Sequence, residues 1–115
     1  MPSMRFLYCL IFLSTNSYAL TESYYSEIFC KSIGGVEEVV LSNRTRVDCV
    51  TDEYVIEVDF AKKWYEGVGQ SLHYATVTGK KPGLALIIDE TEERFYQRAS
   101  NLRVCPEIKL FRINK

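Results

Sequence analysis

Arg46–Ala75, RVDCVTDEYVIEVDFAKKWYEGVGQSLHYA, decides the fold. YVIEVDF alternates in steps of two: Val55, Glu57 and Asp59 share one face, and Tyr54, Ile56, Val58 and Phe60 the other. That is the period of a strand. RVDCV is a second strand just before it, with Asp52-Glu53 marking a tight turn between the two. From Ala61 the period lengthens. Ala61, Trp64, Tyr65, Val68, Leu72 and Ala75 fall at helical spacing, and the helix is expected to end near Thr78-Gly79 and Lys81-Pro82-Gly83. Gly67 and Gly69 each weaken such a helix by about 1 kcal/mol relative to Ala. Their presence suggests a close approach, either of the sheet or of a substrate backbone.

Upstream, LTESYYSEIFCKSI carries Tyr24, Tyr25, Ile28 and Phe29 on a helical face, and Gly34-Gly35 stops it. VEEVVL reads as a strand and SNRT as a turn. Downstream, LALII is a buried strand. Asp89 is expected to open a second amphipathic helix, with Glu92 completing a capping box. EIKLFRI alternates as an edge strand does. The order is α-β-β-β-α-β-α-β, an α/β (α+β) chain with a mixed sheet flanked by helices.

Residues 1–19 are set apart. Arg5, the apolar run FLYCLIFL and Ser17-Tyr18-Ala19 have the layout of a secretory signal cut after Ala19, leaving one domain over 20–115. The expected location is exported, in a bacterial periplasm or secreted. No later apolar stretch is long enough to span a bilayer, so no stable membrane insertion is expected after cleavage. Cys9 would leave with the signal. Cys30, Cys49 and Cys105 allow three pairings, of which Cys30–Cys49, tying the first helix to the second strand, is preferred. No CxxC unit points to structural zinc, and His73, the sole histidine, forms no evident pair with a cysteine nucleophile. Asn43-Arg44-Thr45 matches a glycosylation acceptor in form.

Acids outnumber bases from Leu20 to Gly79, and bases outnumber acids from Lys80 onward. The basic excess of an ordinary DNA binder is missing, so charge alone does not point to nucleic acid.

Acids inside apolar strands need a neutralising partner. Glu57 and Asp59 share a face, and Asp48 lies on the adjacent strand about 4.8 Å away. Glu38 on the first strand can reach the same edge. Oxygen ligands of this kind suit magnesium, manganese or calcium. Lys63, Gln70 and Tyr74 lie along one stripe of the following helix, placed to meet a phosphate or a base edge. Plainer readings exist for each residue. Asp59 is also a good helix cap. Glu57 can pair with Lys63 or Arg46, and Asp48 with Arg44 or Arg46. Gln70 and Tyr74 can bond to each other, Trp64 reads as core, and His73 as a surface or packed histidine.

The acid in the second strand, the acid-x-acid in the third, and the helical Gln70-Ser71-Leu72-His73-Tyr74 resemble the PD-(D/E)XK nuclease superfamily, in its RecB-type and Holliday-junction-resolvase-like branches. The resemblance implies a restriction-endonuclease-like αβββαβ core and magnesium-dependent (or manganese-dependent) cleavage of nucleic acid, DNA ahead of RNA. It implies Asp48, Glu57 and Lys63 as catalytic residues, with Gln70 and Tyr74 on the substrate. Asp48 and Glu57 would hold metal, with Glu38 matching an additional N-terminal acid; Asp59, on the Glu57 face, is a further candidate metal ligand from the strand pattern itself. Two positions depart from the pattern: Asp59 stands where the superfamily has lysine, and Val47 where it has proline. The first leaves a catalytically inactive binding or interaction module of the cell envelope as the alternative.

Overall fold

The structure, a computed structural model, describes residues 20–115; the signal segment expected over 1–19 lies outside them. Helix α1 spans Glu22–Ser32, and the Thr21 side chain caps it by accepting the Tyr24 N–H at 3.2 Å. Three strands follow: β1 (Val36–Val40), β2 (Arg46–Val50) and β3 (Tyr54–Phe60). A single 3-10 turn, Ala61–Lys63, leads into helix α2, Trp64–Thr78. Gly79, at φ 74°, ends that helix by returning its N–H to the Ala75 carbonyl at 2.8 Å. Strand β4 (Lys81–Ile88), helix α3 (Glu93–Ser100) and strand β5 (Lys109–Asn114) complete the chain.

The sheet order is β1-β2-β3-β4-β5. The first three strands form an antiparallel meander; β4 and β5 run parallel to β3. Period-two alternation splits the core into two layers. Ile56, Val58, Ala85 and Ile87 face α1 and its Cys30, with Tyr25 and Phe29 packed against them. Leu84, Leu86 and Ile88 face Trp64 of α2 and Ala99 of α3, joined by Val68, Phe95 and Tyr96. Strand β4 is buried on both faces from Pro82 to Ile88, as a strand covered by helices on both sides must be.

The expected element order holds, and β5 is an edge strand as its alternation indicated. Several boundaries shift: the second helix starts at Trp64 after the 3-10 turn, β5 starts at Lys109, and two further shifts have a clear local cause. Lys81-Pro82-Gly83 opens β4 instead of closing the preceding helix. A proline is tolerated there because it sits near the strand start, before β5 joins at Gly83↔Lys109. Helix α3 starts at Glu93, not Asp89. The Asp89 carboxylate accepts from the Thr91 N–H and hydroxyl, closing a local turn, while Glu92 reaches back to the Asp89 N–H at 3.1 Å. Half of the capping box therefore forms, one turn ahead of the helix.

A Cys30–Cys49 disulfide joins α1 to β2, with Cα atoms 5.6 Å apart, and Cys105 is free and exposed. Both bridged residues are fully buried. Such a bond is at home in an oxidising compartment. Among the described residues no helix is long and apolar enough to cross a membrane.

Candidate functional site

Alternation along β3 turns Val55, Glu57 and Asp59 away from α1. Val55 packs with Tyr74 and Ala75 of α2. The β2–β3 ladder pairs Cys49↔Ile56 and Val50↔Val55, and one step further in that register sets Asp48 opposite Glu57. There the Asp48 carboxylate accepts the Val58 N–H at 2.8 Å, so a side chain stands in for a ladder rung. Strand register alone thus brings together the two acids read from the sequence.

Asp59 and Glu22 extend the cluster. Glu57 is 5% exposed and Asp59 6%. Burial, more than any other cause, pushes the Glu57 carboxyl up to about 10; a hydrogen bond with Asp48 and the charges of Asp48, Asp59 and Glu22 push the same way. Burial likewise pushes Asp59 up to about 7, followed by the charges of Glu22 and Asp48. Glu22, at the start of α1, is raised by burial and by Asp48; Lys63, the Phe60 N–H and Asp59 act against that. None of the ion pairs among the described residues includes Glu22, Asp48, Glu57 or Asp59. Asp59 Oδ2 is buried with no hydrogen-bond partner. Burying such an oxygen unpaired is costly unless something else binds it. Among the described residues, no three carboxylate, histidine or cysteine groups are already spaced as a metal-ligand set.

A cleft of about 240 Å³ opens beside Asp48, between α1 and the first two strands. Glu22, Glu27, Glu37 and Glu38 line it with Asp48, so its walls are acidic, with Ser23 and Ser26 between them. Glu38 falls between the Glu37↔Cys49 and Val39↔Val47 pairs, level with Asp48, and its φ is 49°. It stands at the cleft, but is not among the groups acting on Glu57 or Asp59.

The helix residues divide. Lys63 ends the 3-10 turn, exposed, within electrostatic reach of Glu22. Tyr74 is buried, and its phenol is pushed up to about 12, first by burial and then by the charges of Glu57, Asp48 and Asp59. Its hydroxyl therefore lies in the field of the acids. Gln70 is exposed one turn earlier. Trp64 is core, and His73 is a surface residue bonded to Asn43 at 2.9 Å. The capping reading of Asp59 is corrected: it lies in β3, and the N-cap positions of the following turn and helix are Phe60 and Lys63.

Glu22 was not foreseen from the sequence. An acid in a first helical turn is ordinary, since it suits the helix dipole, and no local pattern tells which strand that turn will meet. Gly67 shows its reason directly. A Cβ there would lie 2.5 Å from Leu84 Cδ1 and 2.7 Å from Asp59 Oδ2, so the sheet makes the close approach. Around Gly69 nothing stands within 4 Å.

The arrangement is chemically suited to a hard divalent cation, which asks for several carboxylate oxygens. The orphaned Asp59 oxygen and the carboxyl groups gathered around it are what such an ion would use. Comparisons with protein-family models, curated proteins and solved structures find no match to this chain.

Proposed function

We propose that this chain is an exported, divalent-metal-dependent nuclease built on a restriction-endonuclease-like core, acting on DNA in preference to RNA. One observation carries the reading: a buried carboxylate oxygen of Asp59 has no hydrogen-bond partner, inside a group of four acids that take part in no ion pair among the described residues. The α-β-β-β-α-β order of the first six elements supports the fold assignment. The disulfide and the signal-like start of the chain support export.

Asp48, Glu57, Asp59 and Glu22 would hold magnesium or manganese, with Glu38 at the cleft wall. When bound, the ion would supply a polarised phosphodiester and a more acidic water. Asp48 is oriented by the Val58 N–H, so its carboxylate is fixed before any ligand arrives. Tyr74 keeps its proton to about 12, which makes its hydroxyl a donor to a phosphate oxygen across the working pH range. Lys63 is exposed and offers a positive charge to the developing phosphate. Gln70, exposed on the same helix, offers an amide to a phosphate or base edge.

The test combines cleavage of single- and double-stranded DNA and of RNA, with magnesium or manganese, and calorimetric titration with manganese. Cleavage that disappears in Glu57→Ala is the expected result. A protein that takes up no manganese refutes the reading. Manganese binding without cleavage selects the inactive binding module, which the aspartate at position 59, in place of lysine, favours.

A further inference from the structure

We propose that Gly67 is a positioning residue for Asp59: its missing side chain forms the niche that seats the Asp59 carboxylate. Gly67 is buried on the face of α2 that meets the sheet. An alanine there would favour the helix, so glycine stands there against local preference. Its Cβ would stand 2.7 Å from Asp59 Oδ2, closer than real Cβ atoms stand to an oxygen, and 2.5 Å from Leu84 Cδ1. The oxygen it would displace is the one with no hydrogen-bond partner. The bare backbone of α2 thus closes over Asp59 and keeps it in the cluster with Glu22 and Glu57. A side chain at 67 would drive the carboxylate off that position or lift the helix from β3 and β4. Gly69, two residues on, has open space around it and serves as the internal control.

The two obstacles separate by mutation. Leu84→Ala removes the leucine contact, so in Leu84→Ala/Gly67→Ala the Asp59 oxygen is the obstacle that remains. The readout in metal-free protein is the Asp59 carboxyl 13C resonance, assigned by its loss in Asp59→Asn. We expect the double variant to melt no lower than Leu84→Ala, to shift that resonance, and to bind manganese at least tenfold more weakly. Gly69→Ala leaves both unchanged. A double variant that matches Leu84→Ala in resonance and in affinity overturns the proposal and reduces Gly67 to a packing residue. A second cycle guards against variants that fail to fold. Asp59→Ser should recover part of the melting temperature lost in Gly67→Ala, and no recovery also overturns the proposal. Only the manganese readout rests on the metal-site reading. Wild-type protein that binds no manganese, with the Asp59 resonance still shifting in the double variant, removes that reading and leaves the role of Gly67 standing.

Discussion

Replacing Glu57 with glutamine should stabilise the metal-free protein at neutral pH and flatten its stability profile. The unfolded chain releases the Glu57 proton near 4.5, whereas the folded chain holds it until about 10. Between those values the folded state carries the extra proton, so raising the pH favours unfolding. Stability from this group is fully present below 4.5 and is lost as pH climbs toward 10. Each pH unit inside the window costs about 1.4 kcal/mol per retained proton, so going from pH 5 to pH 7 removes about 3 kcal/mol through Glu57 alone. That is a large share of the roughly 5–15 kcal/mol that holds a small domain together. Asp59, raised to about 7, adds to the same slope and stops contributing above that pH. Glutamine has no proton to release and can still donate to Asp48. Urea unfolding in EDTA at pH 5, 6 and 7, followed by circular dichroism, measures the effect. Wild type should weaken steadily, and Glu57→Gln should weaken less by about 1.4 kcal/mol per pH unit. A metal-free wild type equally stable or more stable at pH 7 than at pH 5 would refute the reasoning. So would a variant whose slope matches wild type.

Three further outcomes test the fold. Removing the bridge with Cys30→Ala and Cys49→Ala opens a loop whose ends are 19 residues apart. It should cost about 3 kcal/mol, and an unchanged urea midpoint would refute this. Gly35→Ala would place a Cβ against both bridge sulfurs, 2.8 Å from Cys30 Sγ. Alkylation and mass analysis without reductant should then find free Cys30 and Cys49, and complete bridging would count against the packing described. Ile56→Ala empties a fully buried position between β3 and α1. Its expected cost is about 2–5 kcal/mol by urea unfolding, and a loss near zero would mean that the α1 layer is not a packed core.

Strand and helix periods are short-range properties, and this chain states them plainly. Alternation in YVIEVDF and EIKLFRI, the helical face of LTESYYSEIFCKSI, the change of period at Ala61 and the apolar run LALII together carry the element order and the mixed sheet. The acids of the site were half legible for the same reason. Glu57 and Asp59 share a face by alternation, and Asp48 meets Glu57 because a short turn sets the β2–β3 register. The tertiary structure decided the rest. It chose Cys30–Cys49 by placing α1 over β2, and it brought the first turn of that helix to the end of β3, which makes Glu22 a neighbour of Asp59. It set α2 so close to β3 and β4 that only glycine fits at 67. A sequence encodes which face a side chain takes through the repeat of its own strand or helix. Which distant face it meets depends on how whole elements pack, and that is settled by the burial of apolar area over the entire domain.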